Sequence, residues 1–171
     1  MNLLKDYLSQ MSQIRRSAAA VKETSYYGTL ETLLNEAGRH LKPKVRCIVN
    51  LSNKGAGIPD GGLFTPNQFQ QRSNDLIDGQ LPARGAIEVK GTGDEVDTIK
   101  DTEQVKKYLD KYGNVLVTNY RDFLLVTLDR DKQPKALERY SIAENESAFW
   151  DKADHFSATT ENEAVLEMLR G

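Results

Sequence analysis

The chain opens with two stretches in which apolar residues recur every three or four positions, the spacing of one buried helix face. The first stretch predicts a helix whose buried positions are Leu3, Leu4, Tyr7, Leu8, Met11 and Ile14, continued by Ala18 and Val21. In the second, Thr24 or Ser25 is suited to cap the helix N-terminus, and Pro43 ends the helix. The buried positions of this second helix are Leu30, Leu33, Leu34, Ala37 and Leu41.

From Val45 onward the apolar positions alternate, which is the pattern of β-strands. Strands at 45–49 and 58–64, joined by a glycine-containing turn at 52–57, predict an antiparallel hairpin. A polar loop at 65–83, with room for one short helical piece, comes next and leads to a strand at 85–90 and a helix at 98–112. Strands are then predicted at 114–118 and 123–128, and an edge strand at 137–142. The tail from Glu144 is predicted to be helical, with Thr160 and Glu163 as a capping box for the last helix. This order predicts an α/β fold with a central mixed sheet flanked by helices.

Composition bounds the class of protein. The 171 residues fit one domain, with an expected core at about 24–142 and a tail at 145–171 that would lead into a further domain. The net charge of -2 argues against a protein that grips nucleic acid through a strong general field. Cys47 is the single cysteine, so no internal disulfide forms and a cytoplasmic location is expected. With only two histidines, His40 and His155, zinc hydrolase chemistry is not expected.

The residues that carry chemistry are Asp60, Glu88 and Lys90. Glu88 and Lys90 are two apart on one predicted strand and so project from the same face, whereas Val89 points into the core. Asp60 lies on the hairpin strand, which can run beside them. Two carboxylates and an amine would then meet at one edge of the sheet, where carboxylate oxygens suit Mg²⁺ and an ammonium can stabilise charge on a phosphate.

Each half of this pattern also has an ordinary explanation. Pro59-Asp60 is a common turn dipeptide, and an aspartate there is usually a turn residue. A glutamate and a lysine two apart on a strand are frequently a solvated charge pair. It is the combination of the two motifs on two strands that favours a metal-dependent hydrolase.

The stretches Gly57-Ile58-Pro59-Asp60 and Gly85-Ala86-Ile87-Glu88-Val89-Lys90 resemble the PD-(D/E)xK nuclease superfamily. Gln104 and Tyr108, one turn apart on the next helix, are similar to the Gln-xxx-Tyr variant of RecB-like and Mrr-like nuclease domains. The resemblance covers about 24–128 and includes Val115 to Thr118, Asn119-Tyr120 and Phe123 to Val126. It is strongest to nuclease domains at the N-termini of single-chain restriction-modification enzymes.

This resemblance implies an endonuclease that hydrolyses DNA with Mg²⁺, or with Mn²⁺ in its place. Asp60 and Glu88 would be metal ligands together with the backbone carbonyl of Val89, and Lys90 would be the catalytic lysine. Gln104 would hold a group near the metal with support from Tyr108, although both can equally share a solvated helix flank. Related nucleases often add a glutamate from an early helix, for which the candidates are Glu31 and, in reserve, Glu36; either can equally be a surface residue.

The resemblance also implies partners. Methyltransferase, helicase or target-recognition domains would belong to the same full-length chain or complex, because the sequence has no ATP-binding glycine loop and no methyltransferase glycine motif. Weak contacts to DNA phosphates would come from Lys54, Arg84, Lys100, Lys106 and Lys107. Two alternatives stay open: an inactive nuclease fold that serves as a DNA-binding or assembly module, and a free-standing repair or defence nuclease.

Overall fold

The computed structural model describes residues 2–17, 23–50 and 58–170, and these form a six-stranded mixed sheet with helices on both faces. The strands lie across the sheet in chain order: β1 (Arg46–Val49), β2 (Gly61–Phe64), β3 (Gly85–Val89), β4 (Asn114–Thr118), β5 (Asp122–Leu128) and β6 (Pro134–Ser141). β3 and β4 run parallel, and the other neighbouring pairs run antiparallel. The predicted α/β fold with a central mixed sheet is therefore confirmed.

The helices are α1 (Leu3–Ser17), α2 (Tyr27–Arg39), α3 (Val96–Lys100), α4 (Glu103–Tyr112) and α5 (Glu146–Arg170), with short 3₁₀ helices at Glu23–Tyr26 and Pro66–Gln68. α1, α2 and α5 share one core cluster with Ile87 and Val89 of β3. α3 and α4 share a second cluster with Ala86 of β3 and with β4 and β5. β3 is consequently buried on both faces, because its alternate side chains enter different cores.

Two helix boundaries differ from the sequence prediction. The helix expected at 98–112 is two helices, because the chain breaks at Asp101 and Thr102. Thr102 ends the first helix, and its hydroxyl then accepts the Val105 N–H and caps the second. The cap expected at Thr24 or Ser25 is also wrong, since both residues lie in the 3₁₀ helix and α2 begins at Tyr27 with no side-chain cap.

The core reaches further toward both ends than the expected 24–142. Tyr7, Leu8 and Met11 of α1 pack with Phe149 and Trp150 of α5, and all five are buried. A tail that continues as a surface helix would not bury its aromatic residues in this way. The first turns of α5 therefore belong to the same core as α1 and the sheet.

Four smaller expectations also change. α5 is continuous from Glu146 to Arg170, so Thr160 lies within it and does not begin a new helix. Leu41 follows α2 and is 52% exposed. The expected second strand begins at Gly61 and not at position 58, and the last strand is longer than expected.

Ala18, Val21 and the turn at 52–57 lie outside the described residues. None of the described helices is long and apolar enough to cross a membrane.

Candidate active site

Three strand ends meet at one edge of the sheet. β3 and β4 are parallel, so both end there, and the Lys90 N–H donates to the Thr118 carbonyl at 2.9 Å to extend the pairing. β2 is antiparallel to β3 and begins at the same edge, where Gly61 lies opposite Ile87. Extended by one residue, the register of this antiparallel pair places Asp60 opposite Glu88. The topology thus brings Asp60, Glu88 and Lys90 together, as the sequence predicted.

Asp60 is held by two hydrogen bonds at the start of β2. Its Oδ2 accepts the Val89 N–H at 2.7 Å, and its Oδ1 accepts the Tyr27 hydroxyl at 3.1 Å. The next residue must be small, because a Cβ on Gly61 would lie 2.6 Å from the Ile48 carbonyl oxygen. These contacts fix the carboxylate beside β3, half-buried, with the backbone of Val89 as its neighbour.

Glu88 is the most deeply buried acid of this edge, with 2% of its surface exposed. Its Oε1 lies 3.2 Å from Lys90 Nζ, whereas its Oε2 is buried with no hydrogen-bond partner. Burial and, after it, the Asp60 charge raise the pKa of the Glu88 carboxyl to about 7, against the opposing effect of Lys90. A carboxylate that is deeply buried and half unsatisfied favours either a proton or a cation.

Lys90 keeps its charge at this edge. Burial acts to lower the pKa of the ammonium, but the charges of Glu88, Glu23 and Asp60 outweigh it and raise the pKa above the usual value. The side chain is 39% exposed and pairs with a glutamate that is only 3% exposed. The interpretation of Glu88 and Lys90 as a solvated surface pair is therefore wrong for this chain.

Gln104 and Tyr108 lie one turn apart on the same face of α4 and are in contact, but they differ in burial. Gln104 Nε2 donates to the Tyr108 hydroxyl at 2.6 Å, and that hydroxyl donates to the Ile58 carbonyl at 2.9 Å. Tyr108 is buried and Gln104 is exposed. Tyr108 therefore anchors the segment that leads into Asp60, and Gln104 remains accessible from solvent.

The early-helix glutamates lie elsewhere. Glu31 Oε2 accepts the Val49 N–H at 2.8 Å on the outer edge of β1, where Asn35 bonds both backbone groups of Cys47. Glu36 pairs with Arg39 on the surface of α2. Glu31 thus completes the edge of the sheet, which accounts for its carboxylate without a metal.

Glu23 and Tyr27 were missed from the sequence, and both reach the candidate site. The Glu23 carboxylate is half-buried and lies within electrostatic range of Lys90, Asp60 and Asp94. Burial raises the pKa of Glu23, and Lys90 opposes the rise. Burial and the Asp60 charge also raise the pKa of Tyr27, which keeps its hydroxyl protonated beside that carboxylate. The sequence could have indicated Glu23 only as an acid at the start of the second helical segment.

The basic residues predicted to touch phosphates are spread over the molecule. Lys107 is exposed and Lys106 half-buried on α4, the helix that carries Gln104, while Lys100 pairs with Asp101 at 2.9 Å. Arg84 precedes β3 at the opposite edge of the sheet, roughly 20 Å from Lys90 at the usual strand rise, so the two cannot hold the same phosphate. Lys54 lies outside the described residues.

Two clefts share Ile48, Leu76 and Ile77, and only the smaller of them is lined by the segment before Asp60. A cleft of about 1300 Å³ lies between α2, β1 and the 65–83 loop, and it includes neither Asp60 nor Glu88. A second cleft, of about 570 Å³, is bounded by Ile58 and Pro59 on one side and by Lys111 and Tyr112 on another. The second cleft adjoins the candidate site, because Pro59 directly precedes Asp60.

The carboxylates fit a hard divalent cation. No group of three or more His, Cys, Asp or Glu side chains within 2–17, 23–50 and 58–170 is arranged as a ready-made metal centre. Mg²⁺, however, keeps several waters and commonly takes only one or two carboxylates. The unpartnered Glu88 Oε2 beside Asp60 supplies such a donor. The proposed carbonyl ligand, Val89, is adjacent to both, and its N–H already bonds Asp60.

No protein-family model matches the chain, and no curated protein or solved structure matches it significantly. The family resemblance therefore rests on Asp60, Glu88, Lys90, Gln104 and Tyr108 themselves. A fold hosts many activities, so function must be argued from the chemistry of this sheet edge.

Proposed function

We propose that this protein is a Mg²⁺-dependent endonuclease that hydrolyses DNA phosphodiester bonds. The single observation that carries the proposal is the buried Glu88 carboxylate, which has one oxygen on Lys90 and the other without a partner. A buried carboxylate with only one of its oxygens paired is costly, so its position next to Asp60 favours a cation-binding role. The resemblance to the PD-(D/E)xK superfamily supplies DNA as the substrate class.

The side chains of the candidate site would have separate roles in this reaction. Asp60 and Glu88 would hold Mg²⁺, which when bound neutralises charge on a phosphate and lowers the pKa of water. Lys90 would donate a hydrogen bond where negative charge develops on the phosphate oxygens, which is the part of the reaction that gains most from a fixed donor. Tyr27 keeps the Asp60 carboxylate oriented through the 3.1 Å hydrogen bond. Gln104, exposed on α4, is placed to contact the nucleic acid or a water.

The DNA affinity of this chain would depend on more than its own field. The net charge is -2, and among the described cations predicted to touch phosphates, Lys100 pairs with Asp101 and Arg84 lies roughly 20 Å from Lys90. We propose that methyltransferase, helicase or target-recognition domains in the same full-length chain or complex supply that affinity, since tethering raises the effective concentration of DNA. A cytoplasmic restriction-modification enzyme suits both the resemblance and the free thiol of Cys47.

The test is incubation of purified protein with supercoiled plasmid in Mg²⁺, Mn²⁺, Ca²⁺ or EDTA. Nicking or linearisation is expected with Mg²⁺ and Mn²⁺, and none with Ca²⁺ or EDTA, because Ca²⁺ accepts looser coordination. Asp60→Asn, measured in parallel, should remove cleavage while leaving the fold intact. Cleavage that persists in EDTA would contradict the proposal, and DNA binding without cleavage would favour the inactive-module alternative.

A further inference from the structure

The turn between β4 and β5 holds Tyr120 in a conformation that is uncommon for a bulky residue. Its φ is +73°, and its side chain is fully buried. The two side chains that precede Tyr120 fix the turn. Thr118 Oγ1 accepts the Tyr120 N–H at 3.0 Å, and Asn119 Oδ1 accepts the N–H groups of Arg121 and Asp122 at 3.1 and 2.7 Å. Such a conformation persists only where the surroundings determine it, and it often marks a functional constraint.

Tyr120 reaches the segment formed by residues 23–27 in two ways. Its hydroxyl donates to the Glu23 carbonyl at 2.6 Å, and its ring meets Tyr26 edge-on with centroids 5.3 Å apart. The same segment carries two groups of the candidate site. These are the Glu23 carboxylate, within electrostatic range of Lys90, and the Tyr27 hydroxyl on Asp60.

We propose that Tyr120 is a positioning residue of the candidate active site, which holds the 23–27 segment so that Glu23 and Tyr27 stand beside Asp60 and Lys90. A four-residue 3₁₀ helix has weak internal hydrogen bonding, so its location depends on contacts from outside. Tyr120 supplies a short hydrogen bond and a ring contact from the opposite side of the core. The inference rests on the proposed function, because it concerns the geometry of the same site.

The Tyr120 phenol extends from this turn to the 23–27 segment. The turn is closed by Thr118, whose hydroxyl donates to the Asp122 carbonyl at 2.8 Å, and by Asn119, whose Oδ1 accepts the Asp122 N–H at 2.7 Å. Within this turn Tyr120 has a positive φ, and its phenol is directed at the Glu23 carbonyl. Tyr7 of α1 bonds the backbone of the same turn and not the phenol, since its hydroxyl donates to the Tyr120 carbonyl at 2.6 Å.

A matched pair of variants tests the proposal. Tyr120→Phe and Tyr7→Phe each remove one buried hydroxyl and one 2.6 Å hydrogen bond that involves Tyr120, but only the first frees Glu23. We expect similar decreases of Tm in the two variants. We also expect a decrease of kcat of about tenfold, with KM for an oligonucleotide nearly unchanged, in Tyr120→Phe alone, because misplaced groups act on the chemical step. The affinity for Mn²⁺, measured by calorimetry, should fall only in Tyr120→Phe.

The outcomes separate the two proposals. If the wild-type chain cuts DNA and Tyr120→Phe matches it in kcat and in Mn²⁺ affinity, the positioning role is wrong and the proposed function stands. Equal losses of kcat in both variants would show that destabilising the turn is sufficient, and would also overturn the specific role. If the wild-type chain neither cuts DNA nor binds Mn²⁺, the proposed function fails and the assignment of Tyr120 fails with it.

Discussion

Two buried ionic clusters lie at the ends of the neighbouring strands β3 and β4, and they differ in how completely their charges are satisfied. Arg121, only 2% exposed, donates to the carbonyl of Thr92 at 2.8 Å and to carboxylate oxygens of Glu95 and Asp122 at 2.9 Å each. Glu88, equally buried, has one cation at 3.2 Å and one oxygen without any partner.

The contrast separates a structural cluster from a candidate functional one. A buried charge that is fully hydrogen-bonded ties segments together, and Arg121 joins the 91–95 loop to the β4–β5 turn. A buried charge that is left short of partners opposes folding unless something else compensates it. The same fold therefore satisfies its ionic groups where only structure is required, and leaves Glu88 unsatisfied where we propose that a cation binds.

The largest effect on stability should follow from breaking the cluster around Arg121, in which the buried charge is fully hydrogen-bonded. Arg121→Ala leaves Asp122 buried without its cation and should lower the free energy of unfolding by about 3–5 kcal/mol. Arg139→Ala, which breaks an exposed pair with Asp97 at 2.5 Å, is the control and should cost less than about 1 kcal/mol. Urea denaturation measures both. Equal, small losses would show that the Arg121 cluster does not stabilise the fold.

Removing Lys90, the cation that pairs with Glu88, should affect activity far more than stability. Lys90→Ala should lower the cleavage rate about 10²- to 10³-fold, because a fixed donor to the developing phosphate charge is lost. The fold should survive, since Glu88 can take up a proton when its partner is removed. Arg139→Ala, which breaks the exposed pair with Asp97, should cut DNA at the wild-type rate. If Lys90→Ala cleaves DNA at the wild-type rate, Lys90 has no catalytic role.

The Glu88 carboxyl should make stability depend on pH. Folding raises its pKa from 4.5 to about 7, so its contribution is fully present below pH 4.5 and is lost as the pH rises through 7, by roughly 3 kcal/mol. In metal-free buffer, Glu88→Gln should therefore be more stable than wild type at pH 8 and similar to it at pH 4.5. Thermal unfolding across this range checks the sign, with Glu95→Gln, on the surface side of the Arg121 cluster, as the control. A wild-type stability that does not fall relative to Glu88→Gln between pH 4.5 and pH 8 would contradict the account.

The smallest effect is expected at Glu31. Its carboxylate already accepts the Val49 N–H, and a glutamine oxygen can do the same, so Glu31→Gln should leave Mn²⁺ affinity within about twofold of wild type. Glu23→Gln should weaken it more, because that carboxylate lies in electrostatic range of Asp60 and Lys90. Calorimetric titration of the two variants distinguishes them. A large loss of Mn²⁺ affinity in Glu31→Gln alone would show that Glu31 is a metal ligand.

Much of this architecture could be predicted from the sequence because its elements depend on local pattern. Alternation set the strands from Val45 to Leu128, and the glutamate–lysine spacing placed Glu88 and Lys90 on one face opposite Val89. The antiparallel hairpin followed from a short connection and brought Asp60 to the same edge. These predictions concern backbone periodicity and neighbouring strands, which depend little on distant contacts.

The rest depended on contacts between distant parts of the chain. Glu31 and Glu23 are both acids of early helical segments, and only the fold directs the first to the edge of β1 and the second to Lys90. The burial of Glu88 likewise depends on helices packed on both faces of β3. The break at Thr102 was missed, although no apolar residue lies between Ile99 and Val105, where a continuous helix face would carry one.

Calorimetric titration of metal-free protein with Mg²⁺, at pH 8 and at pH 5.5, tests the central claim most directly. Wild type should bind at pH 8 and bind roughly tenfold or more weakly at pH 5.5, where Glu88 holds a proton that the cation must displace. Glu88→Gln should show no comparable binding at either pH. Equal binding by wild type and Glu88→Gln at pH 8 would contradict the account, because the unsatisfied carboxylate would then have no part in holding the cation.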